Sequence, residues 1–258
     1  MGTSSETTDR DCAVLRDQGY IVIPGLLGAS EIAELRAALA PVLGEKQFGR
    51  NPFEGQRTER VYALLAKCPA VAPLIEHPRL LAIGDAFLEP GYLISSVQAI
   101  NIHPGEQAQA LHCDDDAGAP PRPRAPQGFS CIWALDEFRP DNGATQLVPG
   151  SHLWNASRVL RPEDAIQVEM PAGAVLVYLG GVHHGGGAHR SEQPRLGVSS
   201  IYCQPWLRQF ENQTVAVPPA LAAQYSLRIQ RMLGYSMLGP MGSVDGCDPI
   251  RLVEAASR

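Results

Sequence analysis

The sequence lacks the segments that carry a chain to or across a membrane. None of its apolar runs reaches the roughly 18–20 residues that a helix needs to span a bilayer. Its first residues, MGTSSETTDRDC, are polar and acidic, whereas a signal peptide starts with basic residues and continues into an apolar stretch. Glu6 stands where a myristoylation signal requires Ser or Thr. We therefore expect a cytoplasmic protein without a membrane partner.

Positive charge is scarce as well. The 21 Lys and Arg residues are outnumbered by 27 Asp and Glu residues, which gives a net charge of −6 and an isoelectric point near 5.6. The basic residues are scattered along the chain, whereas nucleic-acid-binding domains concentrate them in a patch or stripe. We therefore expect no nucleic-acid partner.

Paired cysteines are missing too. None of the six cysteines belongs to a C-x-x-C pair, which argues against a structural zinc knuckle. In a cytosolic chain of this size, cysteines are most simply free thiols. We expect this state for all of them: Cys12, Cys68, Cys113, Cys131, Cys203 and Cys247.

Apolar residues make up 45% of the 258 positions, which is enough for a full core. The chain contains no repeat at 20–50 residues and no break in composition, so we predict a single domain over 1–258. Its first ninety residues have mainly helical patterns. The predicted elements are helices over 7–18, 30–43, 59–66 and 72–88, the last broken at Pro78, with a short strand at 19–24.

From about residue 92 the pattern changes to short β-rich runs separated by Gly, Pro, Asn and Asp. This density of strands and turns predicts a sandwich or barrel, with a β core over about 92–206. A helical pattern returns at 218–233. The predicted strands are Tyr92–His103, Gly128–Leu135, Ala144–Val148, Ala165–Met170, Ala174–Leu179 and Leu196–Trp206. The fold class is therefore mostly β with flanking helices.

A proline-rich segment, Ala117–Gly128, interrupts the β region. Its sequence, AGAPPRPRAPQG, contains too much proline to pair in a sheet. The segment could form a mobile lid that excludes water from a reactive site. It could equally be a surface connection without such a role, and both interpretations stay open.

The stretch LHCDDD (111–116) contains the first candidates for chemistry. His112 and Asp114 are two residues apart, so on a strand their side chains would converge on one side. A His-x-Asp pair by itself is weak evidence for a metal site. A third ligand from another strand would strengthen the case.

A glycine-rich segment about 70 residues later offers that ligand. It reads GGVHHGGGAHRS (180–191) and follows the apolar run that ends at Leu179. A histidine there would complete a set of two histidines and one carboxylate. This facial triad, with open coordination positions, is typical of non-haem Fe(II) oxygenases, and it leaves room for a bidentate oxoacid and O2.

A distal carboxylate on such an oxoacid needs a cationic partner, and arginine suits it through bidentate geometry. Arg195 lies eleven residues after His184, at the start of the last predicted strand. An antiparallel return could bring its guanidinium into the same barrel. Taken alone, Arg195 could also be a surface charge.

Three motifs together resemble the phytanoyl-CoA dioxygenase family of Fe(II)/2-oxoglutarate oxygenases. They are HCD at His112, NGATQLVPGSHLW over Asn142–Trp154, and HGGGAHRSEQPRLG over His184–Gly197. The segments GYIVIPGLL, RVYALL and LGYSML…VDGCDP add to the likeness, which spans nearly the whole chain. The resemblance implies a double-stranded β-helix core, also called a jelly roll, of the cupin-like type.

The resemblance also implies roles for individual residues. His112, Asp114 and His184 match the iron ligands, and Arg195 matches the residue that pairs with the far carboxylate of 2-oxoglutarate. Polar positions that help to bind this co-substrate match Gln109 and Thr145. We expect Gln98 to point inwards near them, unless it lies on the strand surface.

The residues next to the implied ligands allow more than one interpretation. His183 and His184 compete for one ligand position, and the family pattern favours His184, which directly precedes the glycines. His183 would then face elsewhere or face the substrate. We expect Asp115 and Asp116 to be solvated or capping residues, because three carboxylates would bring excess negative charge to one divalent ion. His189 stands where the family usually has Asn.

The implied reaction is the oxidation of an unactivated C–H bond, with Fe(II), 2-oxoglutarate and O2 as cofactors and co-substrates and with succinate and CO2 released. Asp114 favours hydroxylation, because related halogenases have Gly or Ala at this position and bind chloride there. Some relatives instead desaturate, epoxidise or form peroxides. Rival interpretations are a cupin-like metal enzyme that does not use 2-oxoglutarate, which would not need Arg195, and a non-catalytic relative, which would have lost a ligand.

The substrate is expected to be a small, hydrophobic metabolite bound by a monomer or homodimer, because no basic cluster suggests a CoA thioester. We predict that the substrate site is enclosed by three segments: Lys46–Arg60, the proline-rich segment and residues 207–247. Five apolar or aromatic side chains could line it or could be core residues: Phe53, Trp133, Tyr178, Trp206 and Met237.

Overall fold

The computed structural model describes residues 5–44, 48–116, 120–155 and 157–257. Its N-terminal third is mainly helical, as the sequence predicts. The helices there are α1 (Ser5–Gln18), α2 (Ala29–Leu39), α3 (Leu64–Lys67), α4 (Ala72–Ile75) and α5 (Pro78–Phe87), with a short 3₁₀ turn at Pro69–Val71. Two strands also belong to this part, β1 (Tyr20–Ile23) and β2 (Thr58–Val61).

Local sequence explains where these helices begin. α5 starts at Pro78, whose fixed φ suits the first helical position and whose missing N–H is not needed there. The preceding His77 accepts a hydrogen bond from the backbone N–H of Arg79 through Nδ1. At α2, the carboxylate of Glu31 accepts the backbone N–H of Gly28 at 2.8 Å. Both contacts satisfy donors that a helix start would otherwise leave unpaired.

The helix predicted over 59–66 is wrong. Thr58–Val61 is a strand that pairs antiparallel with the next strand in the sheet, in the register Thr58↔Ile102 to Val61↔Ala99. Helix is confined to the four residues of α3. Pairing with a strand forty residues away outweighs local helix propensity here, because the pairing satisfies the backbone and buries one face of the segment.

Within the described ranges, seven further strands form the β core: β3 (Leu93–Ile102), β4 (Gly128–Ala134), β5 (Thr145–Leu147), β6 (Ile166–Gln167), β7 (Val175–Leu179), β8 (His184–Gly186) and β9 (Arg195–Cys203). Together with β1 and β2 they make a six-stranded sheet in the order β1-β7-β4-β9-β3-β2 and a three-stranded sheet in the order β6-β5-β8. The pairs are antiparallel. This two-sheet jelly roll confirms the predicted fold class; β2 and β8 are the strands that the sequence patterns do not predict.

Four short helices follow the core: α6 (Gln213–Ala216), α7 (Pro219–Ala222), α8 (Leu227–Leu233) and α9 (Ile250–Ala256). None of the helices in the described ranges is both long and apolar enough to cross a membrane. All six cysteines are free, as expected.

The large sheet is buried on both faces. Every residue of β7 is buried, and on β9 the side chains alternate between the two faces. Tyr202 of β9 turns to the helical side, where its hydroxyl donates to the carbonyl of Ile75 and its ring stacks on Phe129 at 4.5 Å. Trp133 is also fully buried there, packed edge-on against His77, so of its two expected roles the core role is the correct one.

A buried ion pair joins α1 to α5. Asp11 is fully buried and receives two hydrogen bonds from the guanidinium of Arg79, at 2.6 and 2.9 Å. Removing one partner of a buried pair leaves an uncompensated charge.

We expect Arg79→Ala to lower the free energy of unfolding by about 3 kcal/mol, measured by urea denaturation. The matched control is Arg36→Ala, which removes the exposed pair with Asp136 and should cost less than about 1 kcal/mol. Equal losses in the two variants would contradict the expectation.

Candidate active site

A cavity of about 770 Å³ opens between the two sheets of the jelly roll. Its walls come from strands β2, β3, β4, β5, β7, β8 and β9, from the segments before β2 and after β3, and from the turn after β9. Residues that are far apart in sequence therefore meet around one space. The cavity receives the three predicted metal ligands, Arg195, and the polar residues Gln98, Gln109 and Thr145.

The three predicted metal ligands lie together at the inner end of this cavity. Nε2 of His112 is 3.7 Å from Oδ1 of Asp114, and Nε2 of His184 is 3.5 Å from the same oxygen. One ligand atom from each residue lies within 4.8 Å of the others. Asp114 begins a turn and is not part of a strand, so the convergence is confirmed while the expected strand geometry is not.

Backbone hydrogen bonds join the two histidines. The N–H of each donates to the carbonyl of the other at 2.9 Å, which makes an isolated antiparallel bridge between His112 and His184. In each imidazole, Nδ1 lies about 3 Å from the carbonyl two residues earlier, at Ala110 and Val182. Donation from Nδ1 fixes the tautomer that leaves the Nε2 lone pair free for a metal. Burial lowers the pKa of His112, which favours the neutral, ligating form.

Asp114 is held by two hydroxyl groups from the large sheet. Ser130 Oγ donates to Oδ2 of Asp114 at 2.6 Å, and the Tyr178 hydroxyl lies 3.5 Å from the same oxygen. That hydroxyl is also 3.1 Å from Nε2 of His184. Burial raises the pKa of Tyr178 well above its usual value. Oδ1, the oxygen nearer the histidines, is left to face them.

Arg195 is a buried cation in the cavity wall. Its guanidinium donates to the carbonyls of Asn142 and Gly143 and lies over the ring of Phe138 at 3.8 Å. Among the described residues, no carboxylate lies within 4.0 Å of it. Burial lowers the pKa of Arg195 to about 9. A cation in this state is best stabilised by an anionic ligand.

Arg60 is a second, partly buried cation in the same cavity, and sequence reasoning missed it. It belongs to β2, donates to the carbonyl of Glu54 at 2.6 Å and to Oε1 of Gln98 at 3.2 Å, and burial lowers its pKa. The available signal was the segment RVYALL, which begins with this residue. Interpreting that segment as helix hid the fact that Arg60 points inwards from a strand.

The three polar residues have defined surroundings. Oε1 of Gln109 accepts the backbone N–H of Gly186 at 3.1 Å, while its Nε2 donates to the carbonyl of Phe53 at 2.9 Å. Thr145 is buried opposite Gly186 in the small sheet. Gln98 joins Arg60 to this group, so the expectation that it points inwards is correct in geometry.

His183 and the two further aspartates face away from the cavity. The ring of His183 lies between Arg122 and Trp154. The side chain of Asp115 is 7% exposed and pairs with Arg124, so it is not solvated; its Oδ2 accepts the backbone N–H of Gln127 at 3.3 Å, in agreement with the capping alternative. Asp116 pairs with Arg122 at 3.3 Å and with Arg124 at 2.8 Å.

The proline-rich segment supplies both of these arginines. Of its described part, 120–128, no residue lines the cavity, and Arg124 also donates to the carbonyl of Asp115. This part therefore braces the turn after Asp114 from outside. Residues 117–119 lie outside the described residues. His189 is buried beside the bridge to Asn142 and does not line the cavity.

The remaining predictions of wall residues are right in part. Phe53 and Tyr178 line the cavity, and the ring of Phe53 meets the His112 imidazole edge-on with centroids 4.7 Å apart. Trp206 is 52% exposed and outside the cavity, and Met237 lines a different groove. The segment 207–247 contributes Phe210 and Glu211, and the described part of Lys46–Arg60 contributes four residues to the wall: Arg50, Phe53, Glu54 and Arg60.

The jelly roll with two histidines and a carboxylate inside defines the class of non-haem metal oxygenases. The sequence profile described as phytanoyl-CoA dioxygenase (PhyH) matches residues 15–197. The chain therefore belongs to the phytanoyl-CoA dioxygenase family.

Curated relatives of the chain are named dioxygenases. Dioxygenase ALT11 of Alternaria alternata is 31% identical over 249 residues, which cover 88% of this chain and 82% of that protein. Dioxygenase FUM3 of Gibberella moniliformis is 28% identical over 262 residues, which cover 93% and 87%. The chain is accordingly an enzyme of the dioxygenase class.

Solved structures share the fold. The epimerase SnoN from nogalamycin biosynthesis matches with a TM-score of 0.63 and 24% identity, over 77% of this chain and 84% of SnoN. HygX from Streptomyces hygroscopicus, crystallised with nickel, 2-oxoglutarate and hygromycin B, matches with a TM-score of 0.65 and 20% identity, over 78% and 88%. The cofactors that family membership implies, iron and 2-oxoglutarate, fit the donors and cations in the cavity.

The geometry separates the adjacent histidines into one that faces the cavity and one that does not. We expect His184→Ala to abolish binding of Fe(II) or Co(II), because one of three ligand atoms is lost. His183→Ala is the matched control and should bind these metals almost as tightly as the native protein. Metal affinity is measured by anaerobic titration of the metal-free protein, and the reverse order of effects would refute the choice of ligand.

Proposed function

We propose that the protein is an Fe(II)/2-oxoglutarate-dependent dioxygenase that hydroxylates an unactivated C–H bond of a small, hydrophobic metabolite, with release of succinate and CO2. The observation that carries this proposal is the meeting, in one cavity, of three metal donors and two guanidiniums, that of Arg195 buried and that of Arg60 partly buried. A donor set of two imidazoles and one carboxylate leaves coordination positions open for a bidentate oxoacid and O2.

In this proposal His112, Asp114 and His184 hold Fe(II). The iron with its bound 2-oxoglutarate and O2 supplies the oxidising power for the reaction. The carbonyl contacts hold both imidazoles in the tautomer whose Nε2 faces the ion, and Asp114 presents one carboxylate oxygen to it. Support comes from the distances between the donor atoms, which suit one small ion.

The two arginines would bind the co-substrate. 2-Oxoglutarate has a carboxylate at each end, and the cavity offers two cations, Arg195 against the carbonyls of Asn142 and Gly143 and Arg60 beside Gln98. We assign Arg195 to the far carboxylate and Arg60 to the end nearer the metal. Neither guanidinium has a carboxylate partner within 4.0 Å among the described residues. The 2-oxoglutarate dianion would therefore compensate the positive charge of both arginines. Gln109 and Thr145 complete the polar end of the cavity.

The apolar part of the cavity wall suits a neutral, apolar molecule. It contains Ile100, Ile132 and Ile201, together with the exposed rings of Phe53 and Phe210. A volume of about 770 Å³ lies within the range of roughly 300–1,000 Å³ that small-molecule sites occupy, so space remains beside the co-substrate.

The charged groups near the mouth are already paired. Arg50 binds Glu54, and Glu211 accepts hydrogen bonds from Ser96 and from the backbone N–H of Val97. In the described part of the mouth, no free cation is therefore available for the phosphates of a CoA thioester. This favours an apolar metabolite over an acyl-CoA.

Hydroxylation is the outcome that Asp114 favours. A carboxylate in the third ligand position leaves no protein-provided vacancy for a halide. A cupin-like enzyme that does not use 2-oxoglutarate would have no use for the two arginines of the cavity, and a non-catalytic relative would not need all three metal donors. These observations support the oxygenase over both rivals.

We also propose that 1–258 form a single domain. The flanking helices pack on the same core, since the hydroxyl of Tyr225 donates to the carbonyl of Leu65 and that of Tyr202 donates to Ile75. A cytoplasmic location and a monomeric or homodimeric state stay predictions.

Binding of the co-substrate gives a direct test. Anaerobic protein with Fe(II) and 2-oxoglutarate should develop a metal-to-ligand absorption band in the visible range. Asp114→Ala should weaken or shift the band, because it removes one of the three ligand atoms. Arg195→Ala should require roughly 10- to 100-fold more 2-oxoglutarate for the same intensity, because a charge-assisted hydrogen bond contributes about 1.5–3 kcal/mol.

The matched control is Arg57→Ala, which removes an arginine whose guanidinium binds the Pro104 carbonyl outside the cavity wall. It should leave the band and its dependence on 2-oxoglutarate unchanged. A native protein without the band, or one whose band persists unaltered in both Asp114→Ala and Arg195→Ala, would refute the proposal.

The substrate class has its own test. With a panel of neutral apolar metabolites and acyl-CoA thioesters, we expect succinate release to be stimulated by members of the first group. Phe53→Ala should raise the KM of such a substrate several-fold without changing the affinity for 2-oxoglutarate, because it removes apolar wall. Stimulation by acyl-CoA thioesters alone would contradict the substrate class and leave the reaction class intact.

A further inference from the structure

Ser130 and Tyr178 are direct cross-strand neighbours. They face each other in the register of β4 and β7, and Ser130 faces Ile201 of β9 on its other side. Because side chains alternate along strands, these three residues share one face of the sheet. Ile201 and Tyr178 line the cavity, so this face is the inner one. Two hydroxyl groups thus project from the floor of the sheet towards the metal donors.

Both hydroxyls reach the same carboxylate oxygen. The 2.6 Å distance from Ser130 Oγ to Oδ2 of Asp114 is typical of a hydroxyl that donates to an ionised carboxylate. Tyr178 approaches Oδ2 at 3.5 Å. Because Asp114 begins a turn, no strand pairing fixes its side chain, and these contacts are what orient it.

We propose that Ser130 and Tyr178 are positioning residues of the metal site, which hold Oδ2 of Asp114 so that this ligand binds the ion through Oδ1 alone. The inference rests on the proposed function, because it takes Asp114 as an iron ligand. Its consequence is that a coordination position that a bidentate carboxylate would occupy stays open for the reactants. Groups that hydrogen-bond to metal ligands often set metal affinity almost as strongly as the ligands do.

Tyr178 has a second contact, which opposes metal binding. Its hydroxyl lies 3.1 Å from Nε2 of His184, the atom that the metal must take. A phenol has one hydrogen to donate, so on metal binding Tyr178 exchanges this partner for Asp114. The contact with Asp114 favours metal binding, whereas the contact with His184 opposes it. We therefore expect a smaller effect from removing the hydroxyl of Tyr178 than from removing that of Ser130.

The test is Co(II) binding to metal-free protein, followed by the visible absorption of the bound ion. Ser130→Ala should weaken Co(II) binding roughly 10-fold or more. It should also change the absorption spectrum, because a freed carboxylate alters the coordination. Tyr178→Phe should weaken binding less, and the double variant should lose more than Ser130→Ala. Ser130→Thr, which keeps the hydroxyl, should recover the native spectrum.

The matched control is Ser200→Ala. Ser200 is as deeply buried as Ser130 and lies on the neighbouring strand, in register with Cys131, so its hydroxyl faces away from the cavity. This variant should keep native affinity and spectrum, and circular dichroism verifies the fold of each variant. Native affinity and spectrum in both Ser130→Ala and the double variant would overturn the inference. Failure of the proposed function looks different, because native protein would then bind Co(II) no better than Asp114→Ala.

Discussion

The site depends on one pair of backbone hydrogen bonds, those between His112 and His184. They fasten the segment after β3 to the first residue of β8, and thereby join two parts of the chain that the sheets alone would leave separate. Each histidine then needs only a local contact, from Nδ1 to a carbonyl two residues earlier, to aim its other nitrogen inwards. The carboxylate between them is set by side chains of the large sheet. Strand pairing therefore positions the two histidines directly. It positions Asp114 indirectly, through side chains of the large sheet.

Buried positive charge is the second constraint on the cavity. Arg60 and Arg195 are desolvated, and burial lowers the pKa of each. Their neutral contacts, to backbone carbonyls and to Gln98, satisfy donors without cancelling charge. Such an interior selects for a compact anion. An uncharged ligand of the same shape would leave both guanidiniums uncompensated, so discrimination between co-substrates follows from electrostatics as well as from fit.

Short motifs made much of the site predictable, because spacing and composition around His112, Asp114, His184 and Arg195 are local features of the sequence. The fold class was predictable for the same reason, through the repeated alternation of strands and turns. What could not be predicted depends on register between distant strands. Arg60 was hidden by a segment with helical composition that pairs as β2, and the hydroxyl of Ser130 reaches Asp114 only because β4 and β7 align it with Tyr178. Neither the orientation of Arg60 nor the contact of Ser130 can be predicted from a single segment of the sequence.

The three consecutive carboxylates of LHCDDD divide between two environments. Asp114 turns inwards, while Asp115 and Asp116 are neutralised by Arg122 and Arg124 of the proline-rich segment. The proline-rich segment therefore compensates the negative charge of the residues that follow Asp114, the proposed ligand. Grafting a foreign loop into this position, for example to change selectivity, would leave Asp115 and Asp116 without their cationic partners unless both arginines were kept. The composition of an external loop is in this way coupled to the charge balance of the interior.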